Sequence, residues 1–121
     1  MLPNLLIVGV PKAGTTSIFS YLNLHKEVFG STPKEPGYFH PLRWREELAD
    51  ITKYEKAFSG YNNQKYAMEA TPGYFYGGEK LASKMKKLLP NSKVIVVLRD
   101  PVQRLFSFYK YKLSLGHIDS N

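Results

Sequence analysis

The amino-acid sequence predicts an α/β fold, a three-layer parallel sheet carrying a P-loop-like phosphate-binding loop. Three observations carry that expectation. Short apolar runs alternate with amphipathic segments, the rhythm of strands joined by right-handed helical crossovers. The first apolar run passes through a glycine-containing turn directly into a helical pattern, where phosphate loops sit. The length of 121 residues, with 43% hydrophobic and 14% aromatic side chains, suits one compact domain spanning residues 1–121 and leaves no room for a second.

Each element has its own signal. Leu5-Leu6-Ile7-Val8 is a continuous apolar run ending at Gly9, as a strand buried on both faces reads. Thr15 to about His25 follows with helical spacing, Ile18 and Leu22 on one face with Phe19 and Tyr21 beside them. A short strand is expected at Val28-Phe29, then a Pro- and Gly-rich loop from Gly30 to Pro41. Trp44 to Ser59 carries one or two short helices that Gly60 ends. Tyr66-Ala67-Met68-Glu69 is a strand terminated by Pro72-Gly73. Glu79 to Leu89 is amphipathic, with Leu81, Met85, Leu88 and Leu89 inward and Lys80, Lys84, Lys86 and Lys87 outward. Val94-Ile95-Val96-Val97-Leu98 has the strongest strand pattern in the chain. Pro101, suited to a first turn, opens a last helix reaching Gly116.

Composition removes several classes of function. With no cysteine there is no disulfide framework, thiolate metal site or cysteine nucleophile. No apolar run approaches the roughly 20 residues of a membrane span, and Met1-Leu2-Pro3-Asn4 lacks the basic start of a signal peptide. The net charge of +7 is unevenly placed. Residues 1–79 hold eight basic and eight acidic side chains, whereas residues 80–121 hold nine and two. An anionic ligand is therefore expected to meet the last third.

The turn Gly9-Val10-Pro11-Lys12-Ala13-Gly14-Thr15-Thr16-Ser17 departs from the nucleoside-triphosphatase pattern G-x-x-x-x-G-K-[ST]. Gly9, Gly14 and Thr16 fit, but Thr15 stands where that pattern has lysine, and the lysine lies inside the loop at Lys12. Arg99 precedes Asp100 after the apolar run at 94–98, so no metal carboxylate follows it directly. ATP hydrolysis is disfavoured, and a plain strand–helix turn remains the simpler alternative.

In this setting Pro11-Lys12-Ala13-Gly14-Thr15-Thr16-Ser17 resembles the 5′-phosphosulfate loop of sulfotransferases that use 3′-phosphoadenosine 5′-phosphosulfate (PAPS). The similarity is to the carbohydrate branch, which includes heparan sulfate sulfotransferases and bacterial relatives. Three more segments resemble that family in its order: Lys34-Glu35-Pro36-Gly37-Tyr38-Phe39, Glu69-Ala70-Thr71-Pro72-Gly73-Tyr74-Phe75, and Val94 to Pro101 followed by Arg104, Ser107 and Tyr109. Together they cover about residues 5–116.

The resemblance implies a transfer of SO₃ from PAPS to a hydroxyl or amine, with a glycan as acceptor and no metal required. Lys12 would face the departing phosphate. Lys12, Ala13, Gly14, Thr15, Thr16 and Ser17 would hold the 5′-phosphate, and Arg99 and Ser107 the 3′-phosphate. Glu35 would be the general base for the acceptor, unless Lys34 beside it pairs with it instead. Gly37 stands where many relatives have His, and Ala70 where many have Lys, which narrows the cationic contribution to Lys12. Arg104 reads as a salt-bridging or surface residue. Tyr38, Phe39, Trp44, Tyr74, Phe75 and Tyr76 could line a sugar platform, though core packing is the simpler role for most.

Related catalytic domains are longer, so the chain is expected to be incomplete relative to a full sulfotransferase domain. Weak donor binding, poor transfer and apolar faces open to homodimer formation are expected to follow. A bacterial cytoplasmic setting is expected, or the Golgi lumen for a trimmed eukaryotic domain. The alternatives are a P-loop nucleoside-phosphate kinase and a non-catalytic polyanion-binding module built on residues 80–112. The Lys-rich helix is most simply a solvated face, and no nucleic-acid partner is expected.

Overall fold

A computed structural model describes residues 1–118, so the last three positions of the expected domain lie outside the described residues. Four strands, β1 (Leu5–Gly9), β2 (Val28–Gly30), β3 (Tyr66–Ala70) and β4 (Lys93–Val96), form a parallel sheet in the order β2-β3-β1-β4. Four α-helices accompany them: α1 (Thr15–Asn23), α2 (Ile51–Lys56), α3 (Gly78–Leu88) and α4 (Pro101–Ser114). Because the strands are parallel, the turns leaving β1, β2, β3 and β4 all emerge at one edge of the sheet. Ligands of open α/β sheets bind at that edge.

β1 is the centre. Its side chains alternate between faces, and both faces are covered, so all five residues are buried. Leu6 and Val8 pack with Ala67, Tyr54, Phe58, Leu81 and Met85 beneath α2 and α3. Leu5 and Ile7 pack with Phe19 of α1 and with Met68 and Ala70 of β3. These two clusters are the two interfaces of the three-layer fold.

Several details differ from the sequence reading. α1 ends at Asn23, and Tyr21 points to solvent. Residues 44–59 hold one short α-helix, started by the Asp50 carboxylate, which accepts the Thr52 N–H at 2.9 Å; a 3₁₀ turn, His40–Trp44, comes before it. The lysines of α3 lie outward and Leu81 and Met85 inward, as its periodicity predicts.

The largest difference is at β4. The strand expected at 94–98 runs Lys93–Val96 instead; among the described residues it is an edge strand paired with β1 alone, and Val94, Val96 and Leu98 are exposed. β-propensity makes the strand; only a neighbour buries it. α4 continues this open side. No residue of α4 is fully buried, and Val102, Leu105 and Phe106 face outward. Among the described residues no helix is long and apolar enough to cross a membrane.

Candidate active site

The turn after β1 is shaped by two residues with positive φ. Lys12 adopts φ 60° and Gly14 φ 90°, the left-handed region that glycine enters at no steric cost and lysine does not. Gly14 caps α1 without a side-chain hydrogen bond; its carbonyl accepts the Ile18 N–H at 3.1 Å. Among the described residues no protein acceptor takes the N–H groups from Lys12 to Ser17. A run of free N–H donors at a helix start is an anion cradle.

Residues that follow β4, and Arg104 of α4, hold the strained turn. Val10 and Val97 extend the β1–β4 pairing, the Val10 N–H donating to the Val97 carbonyl at 2.9 Å. Arg99 donates to the Lys12 carbonyl at 3.2 Å, and Arg104 Nε to the Pro11 carbonyl at 3.0 Å. Arg104 also bonds the Tyr76 hydroxyl. Arg104 is thus a brace for the loop rather than the salt-bridging or surface arginine its sequence setting suggests. The Lys12 ammonium rests on the Tyr111 ring, 3.5 Å from its centre.

A cleft of about 680 Å³ opens above these turns. Lys12, Gly14, Thr15, Thr16, Glu35, Arg99 and Ser107 all line it. Four segments far apart in sequence therefore meet in one space. Ala13 and Ser17, the other predicted loop ligands, do not line it. Five lining residues went unassigned in the sequence: His40, Arg43, Phe108, Tyr111 and Lys112. Helical spacing points to Tyr111, one turn beyond Ser107; nothing local in the sequence points to His40 or Arg43. Lys12, Arg43, Arg99 and Lys112 against Glu35 give the cleft a cationic surplus suited to a phosphate-rich ligand.

The turns after β2 and β3 also line the cleft. Glu35 is half-exposed and ion-paired, its Oε1 2.9 Å from Lys34 Nζ, the pairing that the sequence left open. His40 packs edge-on against Tyr74, and burial lowers its pKa while Glu35 pulls the other way. A Cβ on Gly73 would stand 2.6 Å from His40 Nε2, so this glycine makes room for the imidazole.

Beneath those turns lies Glu69, fully buried on β3. Thr71 Oγ1 donates to its Oε2 at 2.6 Å, and Tyr54 and Tyr74 donate to Oε1. Burial pushes its carboxyl up to about 7, even though these three donors favour the ionised form. Tyr74 passes the network on, for its hydroxyl accepts the Phe39 N–H at 3.3 Å. Of the aromatic residues considered for a sugar platform, Phe39 and Tyr74 are core and Tyr38 packs against it. Trp44, Phe75 and Tyr76 are exposed. No group of three or more His, Asp or Glu among the described residues could hold a metal ion.

The family model described as "Sulfotransferase domain" matches residues 2–120. The chain belongs to the sulfotransferase domain family. It is 32% identical over 112 residues to membrane-associated sulfotransferase kil1 of Dictyostelium discoideum, covering 93% of this chain and 23% of that protein. It is 35% identical over 116 residues to human heparan sulfate glucosamine 3-O-sulfotransferase 6, covering 93% of this chain and 31% of that one. A solved sulfotransferase from Alicyclobacillus acidocaldarius superposes with a TM-score of 0.86 at 25% identity, over 100% of this chain and 54% of that one. The sulfotransferase domain here thus spans about half of that solved structure and under a third of those two curated relatives.

Proposed function

We propose that this chain carries the donor site and acceptor carboxylate of a PAPS-dependent sulfotransferase acting on a hydroxyl or amine of a carbohydrate. The observation that carries the reading is one cleft holding free loop N–H groups, four cationic side chains and the carboxylate of Glu35. The family and the heparan sulfate relatives support it.

When bound, the donor supplies the sulfuryl group; the residues supply placement and charge. The N–H groups of Gly14 to Ser17 and the hydroxyls of Thr15 and Thr16 hold the 5′-phosphate, with Ala13 contributing backbone only. Lys12 neutralises charge at the phosphate that departs. Arg99 and Ser107 hold the 3′-phosphate, Arg99 exchanging its contact with the Lys12 carbonyl for it. Glu35 takes the acceptor's proton through Oε2, the oxygen outside its ion pair with Lys34.

Calorimetric titration with 3′,5′-bisphosphoadenosine tests the donor site. Weak one-to-one binding is expected, and Lys12→Ala or Arg99→Ala should reduce it about tenfold or more, the effect of removing a charge-assisted contact. Equal binding by the variants overturns the assignment. Mg²⁺-dependent ATP turnover would instead support a kinase, and polyanion binding indifferent to Lys12→Ala a non-catalytic basic module.

A further inference from the structure

One ammonium joins the start of α1 to the turn after β2. Lys34 Nζ lies 3.0 Å from Thr16 Oγ1 in the first turn of α1 and 2.9 Å from Glu35 Oε1. Thr16 and Glu35 both line the cleft, one from the start of α1 and the other from the turn after β2. The backbone beneath this side chain is pinned. The Lys34 carbonyl accepts the Ala70 N–H and the Ser31 hydroxyl, each at 3.1 Å, and the buried Ser31 donates its N–H to the Met68 carbonyl at 2.7 Å. The parallel pairing of β2 with β3 thus runs on past Gly30 until it fixes Lys34. Its side chain is only 24% exposed, so its long stem is held rather than free in solvent.

We propose that Lys34 is a further donor-site residue, a bridging cation that contacts the anion seated at Thr16 while anchored to Glu35. This rests on the donor-site reading above. An ammonium has three donors, and among the described residues only Thr16 and Glu35 accept from this one, leaving a donor for a phosphate or sulfuryl oxygen at the loop. Its charge also offsets that of Glu35, the carboxylate that would otherwise repel a polyanion in the same cleft. The contribution of cations is therefore not confined to Lys12 on this side of the site. Donor occupancy and the placement of Glu35 become one linked arrangement, since both pull on a single side chain.

The test is binding of 3′,5′-bisphosphoadenosine to the 121-residue chain, followed by calorimetry at several salt concentrations. Lys34→Met should weaken binding about five- to twentyfold, and Lys34→Arg should recover it to within about threefold. Lys34→Met should also flatten the salt dependence, because a screened charge contact has gone; a purely structural role would leave that slope unchanged. Lys34→Gln, with melting temperature and circular dichroism matched to the parent, repeats the measurement if the Met variant misfolds. Binding by a folded Lys34 variant within about twofold of the parent, with an unchanged salt slope, overturns the proposal and leaves the donor site standing. Failure of the parent itself to bind removes the donor-site reading and this inference together.

Discussion

β1 and β4 lie side by side in the same sheet and are similarly apolar, yet one is wholly buried and the other largely exposed. The difference is neighbours. β1 has a strand on each side and helices over both faces; β4 has β1 on one side and an open edge on the other. The contrast matters because the cleft is built across it. Glu35, His40 and Gly73 stand on the packed side, whereas Arg99, Arg104 and Tyr111 reach the Lys12 loop from the open side. The contacts that hold the Lys12 loop therefore rest on the less supported half, and stability and loop geometry should respond to different substitutions.

The strongest way to break the comparison is in the packed half. Leu6→Ala, at a residue with no exposed surface, should cost about 2–5 kcal/mol in urea unfolding through its cavity. A loss under about 1 kcal/mol would mean the core relaxes around it.

Glu69 gives a pH signature of the same half. Its carboxyl is raised by burial from 4.5 to about 7 on folding. Below pH 4.5 it is protonated in both states; between there and 7 the folded chain keeps a proton that the unfolded chain releases. Stability should therefore fall as pH rises through that window, by on the order of 3 kcal/mol, and level off above it. Glu69→Gln should remove this slope from urea midpoints measured at pH 4 to 8, and an unchanged slope would assign it to other groups.

On the open side the expected effects are smaller. Arg104→Met, which deletes the brace to the Pro11 carbonyl, should cost about 1 kcal/mol. It should also speed amide exchange in α4 while leaving β1 and β3 protected. Leu105→Gln, at a residue 68% exposed, should change stability by less than about 0.5 kcal/mol. A loss comparable to that of Leu6→Ala would show that α4 is covered in solution, as in a dimer of this chain.

How much of this was legible in the sequence follows the same division. β1, its glycine turn and the start of α1 are legible because their signals are local: an apolar run, a glycine-containing turn and helical spacing. Lys12, Thr16, Glu35, Arg99 and Ser107 were named by resemblance, and the fold brings all five to one cleft. What stayed hidden depends on chain crossings. Lys34 reaches Thr16 across eighteen positions, and Arg104 reaches Pro11 across ninety-three; no window of sequence contains both partners. The exposure of β4 was hidden for a related reason, since apolar composition reports the capacity for burial and strand order decides it.

The strand order also separates the two halves of the cleft genetically. In β2-β3-β1-β4 the loops bearing Lys12 and Arg99 leave the adjacent pair β1 and β4, and the turns bearing Glu35 and Gly73 leave the adjacent pair β2 and β3. A boundary drawn between β3 and β1 crosses the sheet once and splits neither group. Chimeras that exchange the two turns after β2 and β3 for those of a relative would leave the loops after β1 and β4 intact, with Lys34 and Thr16 as the junction pair that must be kept together.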